Sequence, residues 1–149
     1  MINCKTAFVT FFPIIPNNMG SSTVINSRFK NWPKSKKIFQ ISHLKKLNNP
    51  NLKTIHIAKE SPIRKIFKLP KLILEIHKYL KHSKKKILLI EGASWIFYSF
   101  FTIFCIKKIF PDCKIIYISH SIESEIRKKY SNYFIYLITK ILEYLVFKI

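Results

Sequence analysis

The sequence predicts an α/β domain: a Rossmann-like parallel sheet with helices on both faces. Three observations predict it. Short apolar runs rich in isoleucine, phenylalanine and valine recur along the chain, and continuous runs of this kind suit strands buried on both faces. The order reads strand, helix, strand, strand, helix, strand, helix, strand, helix, and such alternation brings parallel strands with right-handed crossovers. Size agrees: 149 residues, 48% of them hydrophobic, make one domain, and a domain of that length buries roughly 70% of the surface its unfolded chain would expose.

Thr6 to Phe12 is the first strand, a β-branched and aromatic run that ends at Pro13. Pro13 to Thr23 holds two prolines, two asparagines and Gly20, the composition of a long loop. Ser21, Ser22 or Thr23 can cap a helix running to about Trp32, with Val24, Ile25, Phe29 and Trp32 facing inward. Lys36 to Ser42 is the second strand, Asn48 to Asn51 a turn, and Leu52 to Ala58 the third strand. Ser61-Pro62 starts a helix, with serine as cap and proline at the first position. Pro70 is expected to break or restart it. Leu69, Leu72, Ile73, Ile76 and Leu80 follow helical spacing, with Lys71, Glu75, Lys78 and Lys81 on the other side.

Beyond the exit loop His82 to Lys86, Ile87 to Ile90 is the fourth strand and closes at Glu91-Gly92. Ser94 caps an almost wholly apolar helix through Ile106, and Pro111-Asp112 turns the chain into the fifth strand, Ile115 to Ile118, read as buried. A polar turn follows, Ser119-His120-Ser121, then a helical start with Glu123 and Glu125 first and Arg127, Lys128 and Lys129 behind. Acids early and bases late suit the helix macrodipole. A last helix, about Asn132 to Lys148, is expected to bury Phe134, Leu137, Ile138, Ile141, Leu142, Leu145 and Val146.

A net charge of +20 admits two explanations. One is an anionic partner, a membrane surface or a nucleic acid. The other is the lysine-, isoleucine- and asparagine-rich usage of an AT-rich genome. Arginine occurs at Arg28, Arg64 and Arg127 only, and nucleic-acid sites lean on arginine for bidentate and stacked contacts, so no nucleic acid is expected. Cys4, Cys105 and Cys113 have no paired spacing and read as free thiols of a reducing compartment. Ala7 to Pro16 follows a single lysine and contains two prolines, unlike a signal peptide. Ile87 to Ile106 has about the length of a membrane span, but Glu91 and Gly92 interrupt it. The location expected is the cytoplasm, with peripheral attachment to a membrane face open.

Four places could carry chemistry. His120 follows directly on a strand, at the carboxyl edge where open α/β sheets bind ligands, and could be an acid/base, a neutral hydrogen-bond partner or a surface residue. Gly20-Ser21 opens the first helix, where free N–H groups and the dipole attract phosphate; the alternative is an ordinary cap. Glu91 and Gly92 end the fourth strand facing the same cleft, and Glu91 either touches a ligand or stands in water. Glu123 either caps its own helix or orients His120. The remaining histidines, His43, His56, His77 and His82, match no zinc spacing with the cysteines and read as structural or solvated. Asp112 is the sole aspartate, so no D-x-D metal site exists. No carboxylate pair stands at two strand ends as a glycosidase requires, and no nucleophile elbow or catalytic-cysteine signature is present.

Three segments resemble the N-terminal domain of a GT-B glycosyltransferase of the family 4 type: Phe11-Phe12-Pro13 through Gly20-Ser21-Ser22, the strand end Ile90-Glu91-Gly92 with Trp95 after it, and Tyr117-Ile-Ser-His-Ser-Ile-Glu-Ser-Glu-Ile-Arg127. The resemblance spans nearly the whole chain. It implies a retaining enzyme with two Rossmann-like domains and no bound metal or other cofactor. It implies a first-strand loop near the donor phosphates, here around Gly20 and Ser21, and a histidine, here His120, against the donor sugar. It also implies an acceptor that is a glycan or a lipid-linked intermediate, handled mostly by this N-terminal half. The chain departs from the family at Met19-Gly20, where two glycines are common, and at Ser121, where asparagine is frequent. The donor-binding second domain is absent from these residues, so the resemblance implies an incomplete enzyme, inactive alone. Two alternatives remain: a non-catalytic Rossmann-like binding module at a membrane surface, and a small membrane protein spanning at Ile87 to Ile106.

Overall fold

A computed structural model describes residues 3–14, 20–32, 35–44, 49–92, 96–119 and 123–149. The elements in chain order are β1 (Cys4–Thr10), α1 (Gly20–Asn31), β2 (Ser35–Ser42), β3 (Leu52–His56), α2 (Pro62–Leu80), β4 (Lys85–Gly92), α3 (Ile96–Ile109), β5 (Lys114–Ser119), α4 (Glu123–Tyr130) and α5 (Tyr133–Lys148). The five strands form one sheet in the order β3-β2-β1-β4-β5, and every neighbouring pair is parallel. The fold is the Rossmann-like α/β architecture that the alternation predicts.

Strand alternation divides the core in two. Ala7, Val9, Phe11, Phe39, Ile41, Leu88 and Ile90 point to the face covered by α2, α3 and α5. Phe8, Ile38 and Leu89 point to the opposite face, where Ile25 and Phe29 of α1 meet them. Phe8 is wedged edge-on between Phe29 and Trp32, with ring centroids 5.2 and 5.5 Å away. The Trp32 indole N–H donates to Thr6 Oγ1 at 2.9 Å, so both of these polar groups have a partner.

Several expectations are corrected. Val24 is about half exposed, because Ile25 and Phe29, one turn apart, set the inward face of α1 one residue away. Pro70 does not break α2, which runs unbroken from Pro62 to Leu80. Pro70 is exposed, so water can take the carbonyl left without a partner, while Leu69, Leu72 and Ile73 on both sides of it hold the helix to the core. Ser61 makes no side-chain cap, and only its carbonyl accepts, from the Lys65 N–H at 3.1 Å. β5 is an edge strand and only partly buried. The run Ile87 to Ile106 is split between β4 and α3, and among the described residues no helix is long and apolar enough to cross a membrane. That removes the spanning alternative.

The last correction concerns α5. Asn132 caps it as a side-chain acceptor for the Ile135 N–H at 2.9 Å, but its rotation is not the expected one. Phe134 is 68% exposed and Leu137 and Ile141 are also exposed, whereas Thr139, Glu143 and Val146 are buried. Glu143 accepts a hydrogen bond from the Ser124 N–H in the first turn of α4, at 3.2 Å. That contact, with Val146 in the core, fixes which side of α5 faces in.

Candidate site at the carboxyl edge of the sheet

In this strand order the chain leaves β1 toward β2 on one side and returns to β4 on the other. The reversal leaves a crevice at the carboxyl ends of β1 and β4, the place where open α/β sheets take ligands. Val9 pairs with Ile90, and Gly92 with Ser119. The three segments singled out in the sequence therefore leave neighbouring parallel strands at one edge.

The wall on the β2 side is built by Gln40, which is almost fully buried. Its Oε1 accepts from the Ile14 N–H at 3.0 Å, and its Nε2 donates to Thr54 Oγ1 at 3.0 Å. Thr10 Oγ1 donates to the Phe12 carbonyl at 2.8 Å. Together these bonds bend the chain away from β1 and hold the start of the loop. Alternation turns Glu91 to the same side as Leu89, toward α1. There it forms an ion pair with Arg28, with Arg28 Nη1 donating to Glu91 Oε1. Glu91 is fully buried and the Arg28 side chain is 31% exposed. Glu91 thus does not stand in water. Taking a carboxylate out of water is costly unless it is paired and hydrogen-bonded, and Arg28 meets part of that requirement.

Gly92 points to the opposite side, where the Tyr117 ring lies across it. A Cβ at position 92 would stand 2.6 Å from Tyr117 Cζ, far inside van der Waals contact. Glycine here has a packing reason. Gly20 and Ser21 open α1 and Glu123 opens α4; the side chains at 20, 21, 22 and 123 lie outside the described residues, as do His120 and its neighbours Ser121 and Ile122.

A pocket of about 440 Å³ opens at the same end of the molecule, on the α2/α3 side. Pro62, Tyr98, Arg127, Phe134, Ile135 and Ile138 line it, from the opening turns of α2, α3 and α5 and from α4. α2, α3 and α4 each follow a strand and so begin at the carboxyl edge, and α5, which follows α4, adds Phe134, Ile135 and Ile138. Tyr98 Oη donates to the Pro62 carbonyl at 3.3 Å and closes the pocket floor. A larger groove of about 560 Å³ runs along the middle of α2 and α3 past Ile73, His77 and Phe104, remote from the three strand ends. Among the described residues no group of three histidine, cysteine or acidic side chains could hold a metal ion.

The chain matches no family model, no curated protein and no solved structure.

Sequence reasoning passed over Arg28, Gln40 and Glu143. Gln40 had a readable signal, one amide inside the apolar run Ile38 to Ile41. Glu143 had a similar one, the sole acid of the last helix. Arg28 had none, because its partner lies 63 residues away.

Proposed function

We propose that this chain is the N-terminal, acceptor-side domain of a retaining glycosyltransferase. It would move a sugar from a nucleotide-sugar donor to a glycan or lipid-linked acceptor, working with a second, donor-binding domain. The observation that carries the reading is that its three resemblance-bearing segments leave the carboxyl ends of neighbouring parallel strands, β1, β4 and β5. The amino end of α1 gives that crevice positive character suited to phosphate, while the charge of Arg28 is balanced by Glu91. The neighbouring pocket adds apolar walls and the Arg127 guanidinium, which suit an acceptor with a phosphate and a hydrocarbon tail. His120 is the catalytic group in this reading, and Gly20, Ser21, Glu91, Gly92 and Glu123 bind or shape the substrate site. The chain would act in the cytoplasm, peripheral to the membrane that carries a lipid-linked acceptor.

The test is an amide NMR titration of the full chain with UDP-glucose, UDP-N-acetylglucosamine and GDP-mannose. The reading expects at least one of them to shift the Gly20, Gly92 and Ser119 signals while α5 stays unmoved. The titration is carried to high ligand concentration, because in this reading the main donor site lies in the second domain and only the phosphate contact lies here. If none of the three moves those signals even then, the assignment as a glycosyltransferase domain is lost. A shift confined to other parts of the molecule would also overturn it.

A further inference from the structure

The stretch from Ile126 to the end of α5 is unusual in how it divides polar from apolar. Tyr130, Tyr133, Phe134, Ile141, Tyr144 and Phe147 are all between 50% and 83% exposed. Lys128, Lys129, Lys140 and Lys148 are exposed among them. Glu143, the single acid of α5, is buried, and among the described side chains of α4 and α5 only Glu125, in the first turn of α4, is an exposed acid. The lysines lie along the rings: Lys140 Nζ is 5.9 Å from the Tyr136 centroid, and Lys148 Nζ is 5.3 Å from the Tyr144 centroid and donates to its Oη at 3.1 Å. Inside, Thr139 is fully buried with no hydrogen-bond partner for Oγ1. The helix therefore buries two polar side chains beside Val146 and turns a large apolar face outward, a face that water disfavours.

Charge selects the occupant. A second copy would set lysines against lysines on chains of net charge +20, with Glu125 the one exposed acid among the described side chains of α4 and α5 to relieve them. Tyrosine and phenylalanine with snorkelling lysines suit the boundary between headgroups and acyl chains. Anionic headgroups supply the missing negative charge. α5 has 16 residues, about 24 Å of helix, against a hydrocarbon core of about 30 Å. A helix of this length and pattern lies in the interface rather than crossing it.

We propose that the outward face of α4 and α5 docks on an anionic lipid bilayer, with the α5 aromatics at headgroup depth and the flanking lysines on lipid phosphates. The docking rests on the peripheral part of the proposed function and on none of its chemistry, so the nucleotide-sugar titration can fail while docking stands, and the reverse.

The experiment is flotation of the full chain with vesicles of phosphatidylcholine alone and with vesicles containing roughly a third phosphatidylglycerol. Binding to the anionic vesicles is expected, weaker at high salt, with little binding to phosphatidylcholine. The variant Tyr133→Ser/Ile141→Ser/Tyr144→Ser should lose about tenfold or more in affinity, and Lys140→Gln/Lys148→Gln should lose several-fold. Lys71→Gln/Lys81→Gln, on α2, should change it far less. On the unaltered chain, anionic vesicles should slow amide exchange across 126–149 and leave α2 as it was, a readout independent of how the serine variant folds. No flotation overturns the proposal. So does equal loss from the α2 lysine pair, which would make the attraction diffuse charge. A concentration-dependent dimer, abolished by the serine changes and indifferent to vesicles, would give the face to a second copy instead.

Discussion

Arg28 of α1 and Glu91 of β4, far apart in sequence, form an ion pair at the switch point of the sheet, its carboxylate fully buried and its guanidinium open to solvent on one side. The pair ties the first helix to the fourth strand and is the electrostatic floor of the crevice. Arg28→Met and Glu91→Gln should each destabilise the fold by about 1–3 kcal/mol, the partial exposure of Arg28 keeping the cost below that of a fully buried pair. In a double-mutant cycle the two changes should cost less together than their sum, by about 1 kcal/mol or more. Urea unfolding of the four proteins checks it, and strict additivity would show that the two side chains do not interact.

Gly92→Ala should be destabilising by about 1 kcal/mol, because the new Cβ meets the far end of the Tyr117 ring and that ring, only partly buried, has to swing aside. Replacing Tyr117 by leucine in the same chain should recover part of that loss. Thermal unfolding of Gly92→Ala, Tyr117→Leu and the double variant decides. A double variant as unstable as the sum would place the strain elsewhere.

Glu143→Leu should loosen α4 while leaving α5 helical, since it removes the acceptor for the Ser124 N–H. A lost acceptor at a helix start costs about 1 kcal/mol. Amide exchange should rise across Glu123–Tyr130 and stay unchanged in β1 and β4. Glu143→Gln keeps a carbonyl acceptor and should lose less.

Burial pushes the Cys113 thiol up to about 11. Native protein at pH 8 should therefore resist alkylation at Cys113, and react at Cys4, which is only half-buried. The thiol is harder to ionise folded than unfolded, so its contribution to stability is complete below the ordinary thiol range near 9 and is lost as pH rises through about 11. The difference in stability between the parent chain and Cys113→Ala should be flat at neutral pH and shrink across that alkaline window. A difference that stays constant to pH 11 would refute the buried-thiol account.

The strands and α2 were legible because their patterns are dictated by one surrounding each. A central parallel strand is apolar on both sides, and α2 has a single stripe from Leu69 to Leu80. α5 was misread for the converse reason. It is apolar nearly all round, so periodicity cannot orient it, and a hydrogen bond from a different helix does so. β5 looked central because a run of isoleucines reads the same at an edge as in the middle. Of the candidate site, the edge and its three segments were readable from strand order. The Arg28–Glu91 contact was not, because only the crossover from β1 past β2 and β3 to β4 brings those positions together.

The pairing of β1 with β4 sets Cys4 beside Lys85, across more than half the chain. Contacts so distant in sequence carry a loop-closure cost and slow folding, and this one cannot form until β4 has been reached. The crevice lies on that seam, so an intermediate with β1, α1 and β2 assembled would hold a good part of the core and no binding site. Completion of the crevice and completion of folding would then arrive in a single step, when β4 docks.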